Sequence, residues 1–175
     1  MNIRYTISIY TENNVGLLNR ISAIFLKRHI NIVSITSSES EITDIFRFII
    51  VVDVDENQII KLIKQIEKQI EVISAFFHTN DEIIYLETAL YKVKSESLFK
   101  ERQIQNIIKE SRANMVTVKP EFFVIEKTGW REETEELYQK LKPYGLMQFV
   151  RSGRIAVSKD SMEISKLLNI KKNYE

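Results

Sequence analysis

The sequence predicts an α+β protein made of two βαββαβ modules in tandem, and three observations carry that reading. Strand-like alternation and helix-like periodicity follow one another in the order β-α-β-β-α-β over about the first 80 residues, the ferredoxin-like arrangement. The same order of elements recurs in the remainder, without a residue-by-residue repeat. Between the two, "HTNDE" at residues 78–82 interrupts the apolar patterns. A chain of 175 residues has room for two small domains, and the expected division is 1–79 and 80–175.

The elements follow in order. Ile3, Tyr5, Ile7 and Ile9 alternate with Arg4, Thr6 and Ser8, which predicts a strand with one buried face. After the loop "TENNVG", Leu18, Ile21, Ile24 and Phe25 recur at helical spacing, with Arg20, Lys27 and Arg28 on other sides. "INIVSITSS" and "DIFRFIIVVDV" are β-branched and predict two strands. In "ENQIIKLIKQIEKQI", Ile59, Leu62, Ile63, Ile66 and Ile70 form an apolar helical stripe, and Lys61, Lys64 and Lys68 lie off it. "VISAFFHT" predicts the strand that closes the first module.

The second module opens with the strand "EIIYLETALYKV" and the helix "SESLFKERQIQNIIKESR". "ANMVTVKP" and "EFFVIEKT" are strands parted near Pro120, whose nitrogen cannot donate to a ladder. "REETEELYQKLKPYG" is a helix, acidic at its start and basic at its end as the macrodipole favours, stopped at Pro143 and Gly145. "LMQFVRSGRIAVS" is one strand, or two with a turn at "SG", and "MEISKLLNI" is a short last helix.

One strand demands a cover. In "DIFRFIIVVDV", Phe46, Phe48, Ile50, Val52 and Val54 share a face, yet Ile45, Ile49 and Val51 make the opposite face apolar too. A sheet covered by helices on one side has a polar outer face. Something therefore covers the second one: the other domain, another copy of the chain, or a different partner.

Composition narrows the function. Hydrophobic residues are 44% and charged residues 28% of the chain, a globular mixture. A formal charge of +1 lacks the basic excess that neutralises phosphates, which argues against nucleic acid as a partner. RNA-recognition modules share this element order but need stacking aromatics and basic residues on the sheet. Phe46, Arg47 and Phe48 do not make their glycine- and phenylalanine-rich signature. With no cysteine, thiolate catalysis and Cys-based zinc sites are excluded. No apolar run reaches bilayer length, so no membrane association is expected, and "MNIRYTISIY" lacks a signal-peptide core, so the cytoplasm is the expected location. His29 and His78 are far apart in sequence, and the acids Asp53, Asp55 and Glu56 fit a helix start better than a metal site. Trp130 with Tyr138 and Phe122 or Phe123 could form a binding surface, but the phenylalanines fit core packing of the second module better. No set of acid, base and nucleophile can be assembled, so an enzyme is not expected.

What remains is the loop before the first helix. Gly16 is one of four glycines and opens that helix. A helix start offers unpaired N–H groups and the positive end of the macrodipole, a site for a carboxylate or phosphate. Glycine lets a ligand approach the backbone closely. Asn13 and Asn14 add donors and acceptors, and Leu17 and Leu18 add apolar surface. Such a set suits a free amino acid; the same residue types also make an ordinary turn and helix cap.

The segment "TISIYTENNVGLLNRISAIFLKRHINIVSITSS" resembles the ACT domain, a small ligand-binding module with this βαββαβ order. More closely, the chain resembles the regulatory small subunits of acetolactate synthase, also called acetohydroxyacid synthase. The likeness rests on the opening strand, "ENNVGLLNRI", F-x-x-R followed by "NI-x-S-I", "DENQIIKLIKQIEKQIEVI" and "VRSGRIAVSK", and it covers nearly the whole chain. It implies a non-catalytic subunit of branched-chain amino acid biosynthesis with no cofactor of its own. Its partner would be a large catalytic subunit using thiamin diphosphate, magnesium and FAD, which it would activate and make sensitive to valine or a related amino acid. The ACT domains would form a homodimer about a two-fold axis, with the effector at the interface. Carried over, Asn13 and the backbone of Gly16, Leu17 and Leu18 would hold the effector's charged groups. Asn31 and Ile32 would reach it from the neighbouring subunit, with Leu17 and Ile32 suited to an isopropyl tail. The alternative expectation is a free-standing ACT-domain sensor acting on another enzyme or a transcription factor.

Overall fold

The computed structural model describes residues 2–100 and 102–172. By packing, the chain divides into two compact units, 1–85 with 154–175, and 86–153. The sequence expectation divided it at 79/80 without a return of the C-terminal segment.

The first unit contains strands β1 (Ile3–Glu12), β2 (Ile32–Glu39), β3 (Ile45–Val54) and β4 (Val72–Thr79), and helices α1 (Leu17–Lys27) and α2 (Glu56–Ile66). The antiparallel sheet has the order β2-β3-β1-β4, with Ile3 opposite Val54 and Glu12 opposite Ile45. The alternating residues fall as their period requires. Ile7, Ile9, Phe48, Ile50 and Val52 join Ile21, Ile24 and Phe25 of α1 and Ile59, Leu62 and Ile66 of α2 in one buried core. Burial of each such side chain contributes about 1.5–3 kcal/mol, so this face anchors both helices.

The helix boundaries decide which apolar residues are inside. α2 is capped by Asp55, whose carboxylate accepts from the Gln58 N–H in a capping box, and ends at Ile66. Ile70, expected on the stripe, therefore lies beyond the helix and is exposed. In α1 the core residue is Leu17, and Leu18 is 47% exposed. The acids near residue 55 also find separate duties. Asp53 accepts two hydrogen bonds from Arg4 at 2.8 and 2.7 Å, which hold its carboxyl below the ordinary range.

The C-terminal segment belongs to this unit. It supplies β9 (Ile155–Ser158), which pairs with β5 (Ile83–Lys94), and α6 (Ile164–Lys172). On the sheet face away from α1 and α2, Leu168 is buried with Tyr10 and Ile45, flanked by Phe76, Ile73 and Ile164. α6 thus covers part of the second apolar face that the β3 sequence exposed. Arg154, at 4% exposure, is locked beside it. Its guanidinium donates to Thr6 Oγ1 and Asn80 Oδ1, each at 2.8 Å, and lies 3.7 Å from the centre of the Tyr85 ring.

The second unit has helical residues Ser95–Lys100 (α3) and Arg102–Glu110 (α4), with Glu101 outside the described residues. β6 (Asn114–Val118), β7 (Phe122–Gly129), α5 (Arg131–Leu141) and β8 (Leu146–Arg151) follow. The sheet order is β6-β7-β5-β8, the second ferredoxin-like arrangement. Tyr91, Val93, Phe123, Ile125, Leu137 and Leu141 are at its core, and the buried Tyr91 hydroxyl donates to the Thr134 carbonyl at 2.7 Å. "LMQFVRSGRIAVS" is two strands, β8 and β9, of which β9 belongs to the first unit. Of the phenylalanines expected in the core, Phe123 is buried and Phe122 half-buried, while Trp130 is 56% exposed at the start of α5.

Candidate functional site

β1 ends at Glu12 and the chain turns through Asn13, Asn14 and Val15 into α1. Gly16 is the N-cap, with φ +84°, in the left-handed region. A side chain there would cost about 1–2 kcal/mol in backbone strain, which is why glycine stands at this position. A β-carbon built on Gly16 would meet no atom within 4 Å, so the space above the turn is open. No side chain caps this helix, and its first turn carries no acidic residue. The positive end of α1 therefore faces the opening with no acidic residue in its own first turn to offset it.

That opening is a cavity of ≈220 Å³ bordered by Asn13, Asn14, Gly16 and Leu18, with Phe46 and Phe48 on the facing strand. Glu12, Leu17 and Ser37 complete it. The core fixes Leu17, which is 3% exposed, so Leu18 supplies the free apolar side chain here. Thr11, opposite Phe46 on β3, has a buried hydroxyl with no hydrogen-bond partner among the described residues. At the rim of the cavity, Asn14 Nδ2 donates to Glu12 Oε2 at 3.2 Å. Arg20 pairs with Glu71, which ties α1 to the segment before β4.

Of the residues singled out from sequence, Asn13, Gly16, Leu17 and Leu18 are brought together at this cavity. Asn31 and Ile32 are not: Asn31 is exposed just before β2. Ile32 packs partly against its own core and pairs with Val52. The cavity lies at the other end of β2, where Ser37 pairs with Phe48. Five residues of extended strand separate the two points by about 17 Å. Ser37, Phe46 and Phe48 are cavity residues that the sequence reading missed. Phe46 and Phe48 were placed on a common face, but only the β2–β3–β1 register brings that face under the Gly16 turn. Among the described residues no group of three or more His, Asp and Glu side chains could hold a metal ion.

Residues 5–71 match the family model of the ACT domain. The first unit is thus an ACT module, with the βαββαβ order and the glycine-opened first helix expected from the sequence. Residues 86–160 match the model described as the small subunit of acetolactate synthase. The acetolactate synthase small subunit of Bacillus subtilis is 37% identical over 158 residues, covering 90% of this chain and 91% of that one. That of Mycolicibacterium smegmatis is 34% identical, covering 89% and 91%. The crystal structure of the acetolactate synthase small subunit from Thermotoga maritima superposes with a TM-score of 0.82 at 26% identity, covering 91% of this chain and 99% of that one. The chain belongs to the acetolactate synthase small-subunit family. No helix among the described residues is long and apolar enough to cross a membrane.

Proposed function

We propose that this chain is the regulatory subunit of an acetolactate synthase. It binds the thiamin-diphosphate catalytic subunit, raises its activity and carries feedback inhibition by valine or a related branched-chain amino acid. The observation that carries the effector site is the uncapped start of α1 at Gly16, open above a cavity with both apolar walls and amide side chains. The N–H groups of that turn suit the carboxylate, the Asn13 side chain can assist it, and Leu18 with Phe46 and Phe48 suits a branched tail.

The effector reading includes a second copy. β2 is the edge strand of its sheet, and an edge offers unpaired backbone donors and acceptors to another strand. Val33 and Ile35 on it are 38% and 39% exposed, and Leu18 and Leu26 of α1 are 47% and 74% exposed. Antiparallel pairing of β2 with its own copy over the full strand sets Ile32 of the partner subunit opposite Glu39. Asn31 of the partner subunit then lies near Ser40, at the end of β2 where the Gly16 cavity opens. This pairing brings the residues of the expected site together, although within one chain they are apart.

Regulation then follows from linkage. An effector held between two copies favours the dimer arrangement that it fits better, and it can shift the equilibrium only by its difference in affinity for the two arrangements. Coupling of about 1–3 kcal/mol gives a several-fold to hundred-fold response.

The direct test is to mix the purified chain with the catalytic subunit and follow pyruvate condensation with and without valine, leucine and isoleucine. The expected result is a rise in rate on mixing and a fall on adding one of the three. A chain that binds the amino acid but leaves the rate unchanged in every mixture would be a free-standing sensor instead. The interface has its own test. Ile35→Lys places a charge at the middle of the edge strand, so sedimentation should show monomer at concentrations where the wild type is dimeric. Equal masses for the two proteins would remove β2 from the interface.

A further inference from the structure

The first unit carries a second concavity, on the sheet face opposite to α1 and α2. Tyr10, Arg47, Phe76 and His78 border it from the sheet, and Val157 and Ile164 from the returning C-terminal segment, enclosing ≈230 Å³. Register makes the polar floor coherent: Tyr10 is opposite Arg47, and His78 is opposite Thr6, two residues along β1 from Ser8. The cavity shares no lining residue with the Gly16 opening.

Arg47 defines its chemistry. The neighbouring outer-face cation, Arg4, has a bidentate carboxylate in Asp53. Arg47 has none within ion-pair distance among the described residues; it stands opposite Tyr10 across the β1–β3 pair. Burial raises the Tyr10 pKa above the ordinary phenol value, so that hydroxyl is neutral near pH 7 and adds no counter-charge. A half-buried guanidinium is stabilised by a planar anion that it can grip with two parallel bonds. Glu41 at the same cavity opposes a second negative charge on the ligand. Phe76, Ile83, Val157, Met162 and Ile164 provide apolar wall. The volume is below the roughly 300–1,000 Å³ of sites for drug-sized ligands, which leaves room for a short chain and not for a nucleotide.

We propose that this cavity binds a small monocarboxylic acid with a short apolar chain, its carboxylate on the Arg47 guanidinium. The carboxylate can belong to a simple acid or to an α-amino acid whose ammonium would meet Glu41. The proposal is independent of the effector reading at Gly16.

The test is calorimetric titration of the full chain with isovalerate and, separately, with leucine. The expected result is saturable binding of at least one of them that weakens tenfold or more in Arg47→Gln, recovers in part in Arg47→Lys and is unchanged in Gly16→Asp. If leucine binds more tightly and Glu41→Gln removes that advantage, the amino acid is the source of the carboxylate and the assignment holds. Circular dichroism checks the fold of each variant. Should Arg47→Gln fail to fold, Ala156→Phe, which fills the cavity without touching the charge, must weaken binding instead. Absence of binding of both probes to the wild type would overturn the proposal. So would binding that survives Arg47→Gln in a Gly16→Asp background, or that disappears in Gly16→Asp alone.

Discussion

Gly16→Asp is expected to abolish the response of the catalytic complex to its amino-acid effector while leaving association of the two subunits intact. The reasoning is electrostatic. Gly16 occupies the left-handed region at φ +84°, with open space where a side chain would go. Aspartate tolerates that backbone better than most residues, so the turn should persist. Its carboxylate would then cap the first turn of α1, taking the N–H groups and repelling a ligand carboxylate from the same place. Gly16→Asn is the control, with the same size and the same backbone tolerance but no charge. The asparagine variant should keep a weakened response, and the aspartate variant should show none in a valine, leucine and isoleucine titration of activity. Equal titrations for wild type and Gly16→Asp would move the effector away from this turn. Asn31→Ala extends the test to the second copy. A loss of calorimetric affinity there, at a residue remote from the cavity within one chain, is what an interface site requires.

The second large effect is on stability. Arg154→Ala removes a guanidinium that is 4% exposed and leaves Thr6 and Asn80 without the donor they share. Hydrogen bonds to a charged group contribute about 1.5–3 kcal/mol, and truncation also leaves a void against the Tyr85 ring. A loss of roughly 3 kcal/mol is expected, read as a lower urea midpoint and a fall in Tm of several degrees. Arg154→Lys keeps the charge but not the flat fork, and should recover only part of the loss. An unchanged midpoint for the alanine variant would mean that the C-terminal segment adds nothing to the first unit through this residue.

Arg154 also shows where the sequence reading ran out. "VRSGRIAVSK" stood out as a family-like segment, and its strand character was legible from alternation. Its destination was not. Arg154 meets Thr6 across 148 positions of chain, and no local pattern encodes such a pairing. The same holds for α6. The apolar outer face of β3 announced a cover, but three covers were open, and part of the answer is Leu168 and Ile164 of the same chain. At the candidate site, Gly16 and its neighbours made an ordinary turn and helix cap as readily as a binding site, and it was the family resemblance that singled them out. Leu17 and Leu18 were adjacent apolar residues whose roles depend on helix phase, and the turn at Gly16 turns Leu17 inward and Leu18 outward.

The sequence by itself determined the order of elements, the two ferredoxin-like modules, the family and the glycine turn that opens the first helix. These follow from short-range effects: side-chain period, turn chemistry and helix capping, each set within a few residues. Only the tertiary structure decided that residues 154–172 return to the first unit, that Phe46 and Phe48 face the Gly16 turn, and that Arg47 borders a cavity of its own. Those outcomes depend on strand register and on packing between residues far apart in sequence, where many pairings share the same local pattern and the burial of particular side chains selects one.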